Sequence, residues 1–99
     1  MPNMNAETPV LSKAQALLAK QDYSKAQLQL KLLASGFEPL EVASVLTHCE
    51  AQGWLDDRRF VDRYVSKRVE QGYGPFKIAA DLMAKHVSES LVAQMLANV

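Results

Sequence analysis

The sequence predicts an all-α protein: two tandem three-helix repeats, about six helices in all, stacked into one elongated domain. Three observations carry that reading. Apolar residues recur at spacings of three and four along the chain and nowhere alternate for long, which is the period of helices and not of strands. Helix-start residues (Thr8-Pro9, Ser24, Pro39, Asp56, Pro75, Ser88) and helix-stop glycines (Gly36, Gly53, Gly72) punctuate the pattern at regular intervals. A shift of fifty residues, with no gap, lays one half of the pattern on the other.

The elements follow in order. Thr8 and Pro9 are an N-cap and first-turn pair and open a helix through Leu11, Ala14, Leu17 and Leu18. Ser24 caps a second helix carrying Leu28, Leu32 and Leu33. It stops at Gly36, because glycine accepts the left-handed conformation just beyond a helix end. Pro39 starts a third, with Val42, Val45, Leu46 and Cys49 on one stripe, ended by Gly53. Asp56 caps a fourth and longer helix that runs to Gln71 and stops at Gly72. Pro75 begins a fifth, with Ile78, Leu82 and Met83 facing inward, and Ser88 a sixth, with Leu91, Val92, Met95 and Leu96.

The fifty-residue shift places Tyr23 on Tyr73, Leu28 on Ile78, Leu32 on Leu82, Leu33 on Met83, Phe37 on Val87, Val42 on Val92 and Leu46 on Leu96. A period of this size belongs to helical repeat arrays, in which each unit buries part of its apolar face against the next. The division expected is a flexible N-terminus over residues 1–7, a first repeat over 8–53 and a second over 54–99.

Composition bounds the function. The chain has 99 residues, 48% of them hydrophobic, which suits one small domain with a modest core. The start MPNMNAETPV has neither a basic nor an apolar segment of signal-peptide type, and no apolar run nears the ~20 residues that span a bilayer. A single cysteine, Cys49, rules out an internal disulfide framework and fits a reducing cytoplasm. A soluble, cytoplasmic monomer with no membrane contact is the expectation.

Eleven cations balance eleven anions, yet they are unevenly distributed. Arg58 to Lys85 holds seven cations and three anions, so the positive end of a dipolar molecule lies in the second repeat. Along the fourth helix Phe60, Val61, Tyr64 and Val65 form the apolar face, while Arg59, Arg63 and Lys67 fall at i, i+4 and i+8 as a cationic stripe. Like charges at that spacing repel, so stability alone does not select them. Arg58 has Asp62 four residues on and is neutralised locally. Arg68 falls on the apolar side, where it must snorkel, pair with an acid or cap carbonyls of a neighbouring helix.

Catalysis has no visible candidate. Asp56 and Asp57 read as an N-cap and a helix-dipole partner, and not as a catalytic or metal-binding pair. His48, Cys49 and His86 lack zinc-ligand spacing, and no phosphate loop, dinucleotide fingerprint or activated nucleophile is present. No enzyme activity, metal or cofactor is expected.

Three stretches, AKQDYSKAQLQLKLLASGF, VLTHCEAQGWLDDRRFVDRYVSKR and GYGPFKIAADLMAKHVS, together resemble the bacterial RecX regulatory family over residues ~10 to 96. The most specific pieces are Leu55-Asp56-Asp57 followed by Arg59-Phe60, the Arg68 and Gly72-Tyr73-Gly74-Pro75 element, and Ile78 with Leu82 and Lys85. The resemblance implies stacked three-helix repeats. It also implies a protein that binds the RecA recombinase filament on single-stranded DNA and restrains or modulates it, in recombination, DNA repair and the SOS response. Family members usually carry three such repeats where this chain shows two, so it resembles a short form. The family segment after Tyr-Gly-Pro is commonly Arg-rich, whereas here Phe76-Lys77-Ile78-Ala79-Ala80 keeps one cation, which favours contact with protein over phosphate.

The partner-facing residues expected are Arg59, Arg63, Lys67, Arg68, Lys77 and Lys85, with RecA as partner and only weak contact to single-stranded DNA. Two other readings compete. A winged-helix or helix-turn-helix DNA-binding module needs a strand hairpin after Leu55, and its would-be recognition helix carries Glu38, Glu41 and Glu50 without a cation. A plain helical protein-protein adaptor would dock through the Trp54, Phe60 and Tyr73 neighbourhood.

Overall fold

The structure, a computed structural model, describes residues 8–98. The N-terminal stretch expected to be flexible, residues 1–7, lies outside the described residues. Six helices follow one another: α1 (Pro9–Lys20), α2 (Lys25–Ala34), α3 (Pro39–Ala51), α4 (Asp57–Glu70), α5 (Pro75–Ala84) and α6 (Glu89–Ala97). No strand occurs among the described residues. The two tandem three-helix units are stacked end to end, and the molecule measures 50 × 22 × 21 Å.

Local chemistry sets the helix ends. Thr8 Oγ1 accepts from the Leu11 amide at 3.3 Å, Asp56 from Arg59 at 3.1 Å and Ser88 from Leu91 at 3.3 Å. Ser24 and Gln27 form a reciprocal box: the Ser24 hydroxyl accepts from the Gln27 amide, and the Gln27 side chain accepts from the Ser24 amide. Four helices close in one way. The amides of Phe37, Trp54, Tyr73 and Val87 donate back to the carbonyls of Leu32, Cys49, Arg68 and Leu82. That closure needs a left-handed residue just before the donor. Glycine supplies it three times, as at Gly36 with φ +94°, but in the last case His86 does so at φ +62°.

Helix-on-helix packing runs within the units, α1 to α3 against one another and α4 to α6 against one another. The first core gathers Val10, Leu11, Ala14, Leu28, Leu32, Val42, Leu46 and Cys49. Leu55, which the sequence division assigns to the second repeat, is buried in this first core. The second core is smaller: Phe60, Val61, Ile78, Ala79, Leu82, Val87, Val92 and Met95. Met83 is a correction. It was expected to face inward and is 51% exposed, with Ala79 buried instead. On α5 the buried stripe runs through Ile78, Ala79 and Leu82, and Met83 lies roughly 90° from its centre at 100° per residue, on the rim.

The two units meet through polar groups. The Ser24 hydroxyl is fully buried and, besides capping α2, donates to the Lys85 carbonyl at the end of α5 at 3.0 Å. Asp57 accepts from the Lys25 amide at 2.7 Å, so the first residue of α4 serves the N-terminus of α2. Arg63 and Asp22 pair at 3.1 Å. One serine hydroxyl thus ties two helix ends from different units, and the charges around it set the junction that positions α4.

Candidate functional site

Helix α4 carries five of the eleven cations and lies along the junction. Phe60 and Val61 anchor it in the second core, with Tyr64 and Val65 half-buried beside them. That anchoring turns the remaining faces towards the α1–α2 turn on one side and α6 on the other.

The structure divides the six expected residues among different surroundings. Arg59 is half-buried in a groove shared with Trp54, Leu18 and Arg63. Arg63 holds both carboxylate oxygens of Asp22, at 3.1 and 3.2 Å. Lys67 is exposed. Lys77 pairs with Asp81 one turn along α5 at 3.5 Å and takes no part in lining the junction grooves. Arg63, Lys67, Arg68 and Lys85 come together in one groove between the units, with Gln21, Asp22 and Gln27 opposite.

Arg68 is the least expected of them. Instead of reaching an acid or a foreign helix end, its guanidinium stacks 4.8 Å from the Tyr64 ring centre and 5.6 Å from that of Tyr73. It donates to the Gln71 side chain, while its Nε is buried without a hydrogen-bond partner. The Lys85 ammonium approaches the same Tyr64 ring at 5.6 Å. The Tyr64 hydroxyl donates to Asp81 at 3.3 Å, which fixes the ring between the two cations. Sequence reading missed Tyr64, Tyr73 and Asp22 as parts of this arrangement. The signal available was Tyr64 and Arg68 one turn apart, with Tyr73 following in the turn.

Arg58 is a second correction. Its local neutralisation by Asp62 does not form; it donates to the Gln94 side chain on α6 instead. Cys49 is fully buried, and burial pushes its thiol above the ordinary range, away from the reactive thiolate. Among the described residues no cluster of three metal-ligating side chains occurs, and no helix is long and apolar enough to cross a membrane.

Of the aromatics proposed for an adaptor surface, Phe60 is core, whereas Trp54 and Tyr73 are partly exposed. Trp54 sets its ring edge-on to His48 at 5.5 Å. The most exposed large apolar side chains are Leu40 and Phe76, at 86% and 82%.

Comparison with known proteins adds to this geometry. The family model for RecX, second three-helix domain, matches residues 56–96, which hold α4, α5 and all of α6 but its last residue. The chain is 32% identical over 93 residues to the regulatory protein RecX of Pasteurella multocida, an alignment covering 93% of this chain and 57% of that protein. It is 36% identical over 89 residues to the regulatory protein RecX of Legionella pneumophila, covering 90% and 59%. With that of Haemophilus influenzae the identity is 35% over 81 residues, covering 81% and 53%. The chain therefore spans between half and three-fifths of the length of these curated relatives. With its second unit matched as a RecX three-helix domain and both units running through relatives of that name, the chain belongs to the RecX family.

Proposed function

We propose that this protein is a non-enzymatic regulator that binds the RecA recombinase filament on single-stranded DNA and restrains it, through the cationic side of α4 and α5. The observation that carries the reading is the convergence of Arg63, Lys67, Arg68 and Lys85 at the junction of a RecX-family repeat pair. A rod 50 Å long with an excess of cations in its second unit suits a filament that contains nucleic acid. Exposed Phe76 and Tyr73, close in sequence to Arg68 and Lys77, suit contact with the protein part of that filament. The remaining residues of the surface, Arg59 and Lys77, supply electrostatic contacts on either side of the groove.

The test is ATP hydrolysis by RecA on single-stranded DNA, titrated with this protein at near-physiological salt. A fall in rate that Arg63→Glu with Lys67→Glu abolishes supports the reading and its surface. An unchanged rate with folded protein overturns it. The helix-turn-helix alternative loses ground on two counts. Where a wing would follow Leu55, the chain forms α4, and α3 with its N-cap residue carries Glu38, Glu41 and Glu50 without an arginine or lysine.

A further inference from the structure

The junction groove has the chemistry of a binding site as well as of an interface. Its volume is about 290 Å³, and it brings four cations together against the one carboxylate of Asp22. Gathering like charges in a concave space works against folding. The apolar packing of α4 does not require it: Phe60 and Val61 carry that packing in the second core, and the Phe60 ring only borders the groove.

Two of the cations are held in place in advance. Arg68 and Lys85 both lie against the Tyr64 ring, which Asp81 holds by its hydroxyl, and Tyr73 stacks on Arg68 from the following turn. The Arg68 Nε, buried in the groove wall, has no acceptor of its own. A guanidinium fixed by aromatic rings loses little freedom when it binds, and its planar fork fits oxyanions that offer several oxygens. The groove calls for an anion with more acceptors than a carboxylate has, because four cationic side chains line it.

We propose that this groove is a phosphate-binding site, in which Lys67, Arg68 and Lys85 hold the phosphate and Asp22, paired with Arg63, restrains entry. The inference rests on the filament reading only for the source of the phosphate, a phosphodiester of single-stranded DNA. The chemistry is shared by free phosphates, and the experiment separates the two. Asp22 is the informative residue. It is half-exposed and competes with any incoming anion for Arg63, so removing its charge strengthens phosphate binding even though it breaks an ion pair.

The experiment measures fluorescence anisotropy of a labelled twelve-residue oligothymidine against the full chain over a range of salt, without RecA. Lys67→Gln and Lys85→Gln are each expected to weaken binding several-fold and to reduce the slope of log K against log salt by about one. Lys13→Gln, on α1 outside the groove with the same charge change, leaves a markedly smaller effect, and Asp22→Asn tightens binding several-fold. Equal losses from Lys13→Gln and Lys85→Gln, or no gain from Asp22→Asn, overturn the site. In parallel, inorganic pyrophosphate is titrated while the Arg68 Nε–Hε NMR signal is followed. A shift there without oligothymidine binding overturns the DNA source and keeps the phosphate site; no shift overturns both. RecA ATP hydrolysis answers separately for the filament reading: Lys85→Gln protein that loses the oligonucleotide but still restrains RecA leaves that reading standing without this groove.

Discussion

The turn between α1 and α2 and the turn between α4 and α5 occupy the same place in their repeats and have different lives. In the first, Tyr23 is 8% exposed and Ser24 is fully buried, because the second unit lies over them. In the second, Tyr73 is 42% exposed, and Gly74 caps α5 with no side-chain bond. The turn itself does not decide burial; what is stacked on it does. Chemistry follows position: the covered slot holds a serine that both accepts and donates, and the open slot holds a glycine. The more exposed tyrosine, Tyr73, stacks on Arg68 instead.

Substitutions in matched positions can break or sharpen this comparison. The largest effect is expected at the paired core residues Leu28 and Ile78, both fully buried. Either to alanine costs about 2–5 kcal/mol in urea unfolding. If the units unfold independently, each variant shifts only one of two transitions; one shared transition means that the polar junction couples them fully. Next, Ser24→Ala removes a cap and the junction bond together, a loss of about 1–3 kcal/mol. A loss no greater than that of an isolated cap, such as Ser88→Ala, shows that the Lys85 contact contributes nothing.

A smaller effect, of opposite sign, is expected at His86. It stands where Gly36 stands in the first unit and adopts the same left-handed backbone. His86→Gly relieves that strain and loses some chain entropy, for a net gain of about 0.5–1 kcal/mol in thermal unfolding. A loss means that the imidazole makes a contact worth more than the strain. Smallest is Gly74→Ser, which copies Ser24 into the open slot. An added Cβ meets nothing within 4 Å. The new cap is worth a few tenths of a kcal/mol, and a gain as large as the Ser24 loss means that the cap, and not the junction, carries the Ser24 effect.

Much of the fold was legible because it is locally encoded. Thr8, Ser24, Asp56 and Ser88 cap the helices they were expected to cap, and Val42, Val45, Leu46 and Cys49 form the stripe their spacing predicts. Period alone could not place Met83, because a stripe's edge depends on how far the neighbouring helices wrap around it. Nor could it see that Leu55 drops into the first core, that Asp57 serves the amide of Lys25, or that Arg58 reaches Gln94. Each of those pairings joins residues more than thirty positions apart in sequence for the hydrogen bonds. The candidate site follows the same rule. That Arg63, Lys67 and Arg68 share a helix was legible. That Lys85 joins them is decided by how α5 lies on α4, whereas Lys77 meets Asp81 one turn along α5 itself.

Ser24 has a consequence for motion. Its one hydroxyl proton is committed to Lys85 and its oxygen to Gln27, so the bond between the units has no second acceptor to slide to. Opening the waist breaks the Lys85 bond together with the Lys25–Asp57 bond, while the cap on α2 stays within the first unit, and hydrogen bonds weaken steeply with distance and angle. The joint therefore acts as a catch, closed or released, and while it is closed the protein tumbles in solution as one stiff rod and not as two beads on a string.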